Sequence, residues 1–162
     1  MAIDFLNAQG TVMYILDETT MGTITGTPAT DIPIIQGGDE VGCPQSIGAL
    51  EETRGVTEYK CISSNDSVKS LGSISRGNTV IGLLFNPDDI TGQDALQTAF
   101  ELNTPVGVGI EFPNSAGVSG TILYFEGAIS AVSTGIEQDS AVTYDVTIEI
   151  ASAITEYEPT TV

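Results

Sequence analysis

Residues 141–154 constrain the fold of this chain more than any other stretch. Val142, Tyr144, Val146, Ile148 and Ile150 occupy one parity, and Thr143, Asp145, Thr147, Glu149 and Ala151 the other. A period of two sends these sets to opposite faces of a strand, whereas the helical period of 3.6 would mix them. Val106, Val108, Ile110 and Phe112 repeat the pattern over 106–112, and a longer strand is expected over 121–132. Turns at Pro113–Gly117 and Thr134–Ser140 separate the three. Upstream, 10–16 and 79–85 read as short β-rich strands, and 46–62 as extended chain. Ile32–Pro33–Ile34–Ile35 reads as a short edge strand, because proline removes a ladder donor. Residues 17–31, rich in Thr, Gly and Pro, are expected to form a loop, and Gln36–Asp39 a turn.

One helix is expected, over about 91–102. Thr91 stands at its N-cap with Asp94 three residues on, a capping-box arrangement with Asp in place of Glu. Leu96 and Phe100 share a face at helical spacing, and Asn103–Thr104–Pro105 ends the run. With 162 residues, the chain is expected to form one domain over 1–162, with no extra C-terminal domain. The fold class is mainly β: two antiparallel sheets forming a sandwich or partial barrel, one flanking α-helix and a long extended loop. Composition agrees. Hydrophobic residues make up 41%, aromatics only 6%, and Trp is absent, so the core is Val, Ile, Leu and Ala, which suit strands. A mean hydropathy of +0.17 separates the chain from acidic disordered segments.

Twenty-two acidic residues face four basic ones, a net charge of −18. Such a surface repels nucleic-acid phosphates and anionic membranes. The charge is also segregated. Arg54, Lys60, Lys69 and Arg76 are the only bases, and with Glu58 and Asp66 they leave residues 54–76 at +2. The other twenty acids have no base among them. Three of these cations flank or enter a polar, Ser/Gly-rich segment, 63–78, which reads as a long exposed loop or hairpin arm.

Catalytic chemistry finds little support. With no His, the commonest general base and most nucleophilic triads are missing. Glu51/Glu52 and Asp88/Asp89 are paired carboxylates of the kind a glycosidase uses, but without Trp there is little to form a sugar platform. Residues 86–94, NPDDITGQD, could be taken for a calcium loop. They lack the alternating acidic ligands, and read better as a strand exit followed by a helix N-terminus that favours carboxylates. No metal site and no cofactor is expected. Cys43 and Cys61 lack metal-ligand spacing. They read as two small buried hydrophobes in a reducing cytosol, with a disulfide as the other reading. The start, MAIDFLNAQG, has no basic region followed by a long apolar one, and no run approaches membrane-spanning length. The expectation is a soluble product of the cytoplasm. Acidic residues alternating along the last strand fit either a solvated sheet face or a face lining a channel.

Residues 46–101 resemble the tail tube (major tail) proteins of long-tailed phages. The likeness lies in the extended Leu50–Glu51–Glu52–Thr53 segment, the polar loop Ser63–Asn78, the strand ending at Asn86–Pro87–Asp88 and the helix Thr91–Leu102. The closing strands 106–112, 121–132 and 141–154 follow in matching order. The resemblance implies a non-enzymatic virion protein of sheathless, non-contractile tails, forming hexameric rings that stack around a channel for the genome. It implies self-association as the main partnership. Tape measure, tail tip and tail terminator proteins are the further partners. DNA passes without specific binding, and no membrane is involved. The location implied is the virion tail, after synthesis and assembly in the host cytoplasm. Glu111, Glu126, Asp145 and Glu149 become candidate channel-lining acids, and Arg54, Lys60, Lys69 and Arg76 candidate contacts between subunits or rings. The alternatives are a β-sandwich binding module and another virion structural protein, a connector or a decoration protein.

Overall fold

The computed structural model describes residues 10–60, 62, 66–113 and 120–158. Cys61, the start of the chain and most of the turn expected at 113–117 lie outside them. The first half comprises β1 (Val12–Leu16), α1 (Glu18–Met21), α2 (Pro28–Gln36), β2 (Asp39–Val41), β3 (Pro44–Ile47), β4 (Glu52–Lys60) and β5 (Ser67–Arg76). The second comprises β6 (Asn78–Leu84), α3 (Gly92–Leu102), β7 (Pro105–Glu111), β8 (Ile122–Gly135), β9 (Thr143–Ile150) and β10 (Thr155–Tyr157). The chain is mainly β, in two antiparallel sheets, as expected.

The main sheet runs β2–β1–β7–β8–β9–β6–β3, with β10 also on β8. β7 pairs along residues 122–128 of β8, β9 along 127–135 and β10 along 122–124. Because β7 occupies one edge, β9 and β10 must share the other. They form one broken strand, whose break is held where the Ala151 and Ser152 N–H groups both donate to the Glu126 carbonyl. The ladder also slips by one residue at Ser130, a bulge that increases the local twist.

The two end strands of this path, β2 and β3, are consecutive in the chain, with only Gly42 and Cys43 between them. Three Cα steps span at most about 11 Å, so the sheet must curl until its opposite edges nearly meet. No ladder joins them, and the barrel stays open. Cys43 turns the corner in the left-handed conformation, φ 57°, and its carbonyl accepts from the Leu84 N–H at 3.1 Å. Cys43 is exposed, against the expectation of burial. A corner in the backbone points its side chain outward, which the local sequence could not reveal. The Cys43 thiol of the unassembled native protein is therefore expected to react with an aromatic disulfide reagent at a rate within about tenfold of a small thiol. Labelling that needs denaturant would contradict this.

The alternation of the sequence becomes the inside and outside of the curled sheet. Met13, Ile15, Val106, Val108, Ile110, Phe125, Val146 and Ile148 are buried together in one cluster, each contributing about 1.5–3 kcal/mol by leaving water. From α3, Leu96 and Ala99 enter the same cluster. Phe100, expected on that face, turns outward and is 39% exposed. The α3 N-terminus also differs from the expected capping box. Thr91 is the N-cap but makes no side-chain cap. Asp89 supplies the carboxylate instead, accepting from the Gly92 N–H at 2.8 Å and, through its other oxygen, from the Gly42 N–H at 2.9 Å. Burial pushes the Asp89 pKa up, but the hydrogen bonds from Gly42, Gly92, Gln93 and Thr91 outweigh it, leaving the carboxyl below its usual range. Buried Gln93 locks the same turn, donating to the Leu84 carbonyl at 2.7 Å and accepting from the Asn86 N–H at 3.0 Å. The 86–94 segment thus joins strand to helix. Among the described residues no group of three or more His, Cys, Asp or Glu could hold a metal.

Residues 17–36 depart furthest from expectation. Instead of a loop and an edge strand they form two short helices. Asp17 caps α1 by accepting from the Thr20 N–H at 2.8 Å. Pro28 opens α2 at a position where its missing N–H costs nothing. The run 32–35 therefore lies in a helix, with Ile35 fully buried, Ile32 and Ile34 partly buried beside it, and Pro33 exposed. The segment is too short for its period to separate helix from strand.

Candidate functional site

Register places all four candidate acids on one face of the main sheet, opposite the core. Glu126 is paired with Gly107 and Glu111 with Ile122. Asp145 is paired with Gly82 and Ser133, and Glu149 with Asn78 and Ala128. The face then divides. Its β1–β7–β10 end is covered by α1 and α2, where Leu16, Met21, Ile35, Ile122, Tyr124 and Tyr157 form a second buried cluster. Glu111 lies at that cover, accepting from Gln36 Nε2 at 3.1 Å and Tyr14 Oη at 3.3 Å. Glu126 accepts from Tyr124 Oη at 3.2 Å. Burial and the Glu126 charge push the Tyr124 hydroxyl pKa far above its ordinary value. These two carboxylates are half-buried and serve as hydrogen-bond anchors.

The β8–β9–β6 end is uncovered. Glu149 is exposed there and accepts from Ser130 Oγ at 3.1 Å and Asn78 Nδ2 at 3.4 Å. Asp145 is half-buried beside Gly82, where an added Cβ would stand 3.2 Å from Asp145 Oδ1 and in collision with Ser46 Oγ. Thr147 and Val80 complete this open strip, Val80 being 45% exposed. The structure therefore gathers the four acids on one face but leaves only Asp145 and Glu149 on its open part.

The four cations lie on the second sheet, the β4–β5 hairpin. Of the segment expected as a loop or hairpin arm at 63–78, Ser67–Arg76 forms its second strand, and its first strand, Glu52–Lys60, lies in the stretch expected as extended chain. Leu71 and Ile74 share a face although three residues apart, because the ladder slips between Arg54 and Val56, which hides the period of two. Register sets Glu52 against Arg76, Arg54 against Ile74, Val56 against Leu71, Glu58 against Lys69 and Lys60 against Ser67. Every charged group of both strands thus shares a face with the apolar strip Val56, Leu71 and Ile74. Thr53, Thr57 and Tyr59 with Ser75, Ser70 and Val68 form the other face. Arg76 Nε meets Glu52 Oε1 at 2.8 Å at the base of the arm. That pair is partly exposed, and such pairs contribute about 0–1 kcal/mol.

Both faces of this arm are bare. Val56, Tyr59, Val68 and Leu71 are each 57–64% exposed, and the two strands pack mainly against each other. A lone two-stranded hairpin is marginal in water, and exposed apolar side chains in this number mark an interaction surface. Nothing in the polar composition of the segment announced it, although the concentration of bases there was legible.

No protein-family model matches the chain, and no curated protein matches it. Solved structures do match in fold. A chain of the anti-feeding prophage baseplate aligns with a TM-score of 0.70 at 12% identity, covering 96% of this chain and 97% of that one. A chain of the sheath–tube complex of an extracellular contractile injection system, in its extended state, gives 0.69 at 11% identity over 97% and 94%. The SPP1 tail tube gives 0.64 at 12% identity over 95% and 80%. The chain thus has the fold seen in subunits of tail tubes and injection systems.

Proposed function

We propose that this chain is a tail tube subunit, assembling as hexameric rings stacked around a channel through which the genome passes. The fold supports that class, and the feature that carries the reading is the β4–β5 arm. It projects apolar and cationic side chains that no described residue outside the arm covers, from a chain otherwise acidic. A contact between two different surfaces of identical chains propagates into rings and filaments. The arm is one such surface, about 30 Å long for nine residues at strand rise. On this reading Asp145 and Glu149 line the channel, where carboxylates repel phosphate and let DNA pass unbound. Glu111 ties α2 to β7, and Glu126 holds the hydroxyl of Tyr124 in the second cluster. The role is structural and not catalytic. Tape measure, tail tip and terminator proteins are its further partners, and the product resides in the virion tail after synthesis in the host cytoplasm. The resemblance of residues 46–101 favours a sheathless, non-contractile tail.

Electron microscopy of the purified protein tests this. Hollow tubes of stacked hexameric rings are expected, with Asp145 and Glu149 on the inner wall of the reconstruction. Monomers at high concentration would overturn the reading in favour of a binding module. Single unstacked rings would favour a connector. Tubes with both residues outside would remove the channel assignment.

A further inference from the structure

A groove of about 460 Å³ opens between α1, β2 and α3. Its floor is apolar, with Ala99 buried beneath and Ile90 at the margin, 77% exposed. Its rim carries Asp17, Glu18, Asp39 and Asp94. None of the four is ion-paired among the described residues, and the chain holds no cation outside residues 54–76 that could neutralise them.

We infer that this groove receives the β4–β5 arm of a second copy of the chain. The inference rests on the tube reading and deepens it by naming the surface on which the arm lands. Two complementarities support the match. The charged face of the arm carries an apolar strip, Val56 and Leu71, with Arg54 on one side and, on the other, Glu58 paired with Lys69 and then Lys60. The groove presents the converse, an apolar floor between carboxylates. Carboxylates around one concavity repel each other until a counter-charge arrives, and the only counter-charge this sequence encodes is on the arm. Docking would cover the largest exposed apolar side chains of both surfaces together. It also explains why the bases are confined to one hairpin: a cation elsewhere would offer competing, out-of-register contacts.

Charge reversal with rescue tests the assignment. Glu18→Lys with Asp39→Lys changes exposed positions and leaves the Asp17 cap and α3 intact. Arg54→Glu with Lys60→Glu alters the arm opposite Ile74 and Ser67, so no like-charge cross-strand pair is created. Each double variant is expected to raise the critical concentration for assembly at least about tenfold at low ionic strength, with the difference shrinking as salt is added. The chain carrying all four reversals is expected to recover most of the loss, which misfolding could not produce. Glu18→Gln with Asp39→Asn should give an intermediate shift, and thermal melting monitors the fold throughout. If the wild type forms tubes and the groove variant assembles at the wild-type concentration, the groove assignment falls while the tube reading stands. If the wild type forms only small closed oligomers, the tube reading falls, and the same rescue pattern measured by sedimentation decides the groove. A wild type that stays monomeric overturns both.

Discussion

Replacing Val56 and Leu71 together by threonine is expected to abolish tube assembly at concentrations where the wild type polymerises, while the subunit melts close to the wild-type temperature. The two residues face each other across the hairpin and are 58% and 64% exposed in the subunit, so no core contact is lost. Threonine keeps the β-branched shape that strands favour, and a Thr–Thr cross-strand pair is itself favourable. What disappears is apolar surface available to a neighbour. Burial of a valine and a leucine contributes about 1.5–3 kcal/mol each. Losing about 2–3 kcal/mol per subunit raises the critical concentration roughly 30- to 150-fold. Sedimentation of assembled from unassembled protein measures it. An unchanged critical concentration would mean that the arm is a solvated hairpin with no part in assembly.

The second large effect is on stability and centres on Asp31. This carboxylate is fully buried and accepts from the Thr25 N–H at 3.0 Å, Thr25 Oγ1 at 3.1 Å, the Gly26 N–H and Tyr157 Oη at 3.0 Å. The Tyr157 bond reaches across 126 residues and fastens β10 to α2, whose Asp31 also holds the loop before it. Asp31→Ala is expected to destabilise the subunit by about 2–4 kcal/mol, because it orphans the buried Tyr157 hydroxyl and removes hydrogen bonds to a charge. That corresponds to a fall of roughly 5–15 °C in Tm for a chain of this size. Tyr157→Phe should cost less, about 1–2 kcal/mol, since three donors still serve Asp31. The pH dependence follows from the direction of the shift. Burial pushes the Asp31 pKa up, but the hydrogen bonds from Thr25, Tyr157 and Gly26 outweigh it, leaving the carboxyl below its ordinary value. A lowered folded pKa gives stability that is complete above the unfolded value, about 3.9, and is lost as pH falls below it. The gap between wild type and Asp31→Ala should therefore be constant at neutral pH and narrow in acid below about pH 4. A gap that widened in acid would refute the assigned ionisation.

How far the sequence reveals these features depends on how local their causes are. The strands β6, β7, β8 and β9 and the helix α3 were legible because each buries one face over seven residues or more, long enough for a period to show. The two short helices at 17–36 were not, since four apolar positions in a row fit either period. β10 is three residues long and exists because its partners lie far away in the chain. The arm was legible as an island of charge and as one of two readings, loop or hairpin, but its apolar faces were not, because the ladder slip breaks the alternation. Of the candidate site residues, the shared face of Glu111, Glu126, Asp145 and Glu149 follows from strand parity. Their division into anchors and an open strip does not, because it depends on which end of the sheet α1 and α2 cover.

Sequence alone determined the β character, the split of each long strand into a buried and a polar face, the absence of His, and the confinement of every base to residues 54–76. These are properties of composition and short-range order, and they survive in any fold the chain could take. Tertiary structure decided how the sheet curls into an open barrel. Gly42 and Cys43 join its two opposite edges, so the alternation of each strand becomes the inside and outside of one curled wall. Where α1 and α2 then cover that wall decides that Glu111 meets Gln36 of α2 while Asp145 and Glu149 stay on its open part.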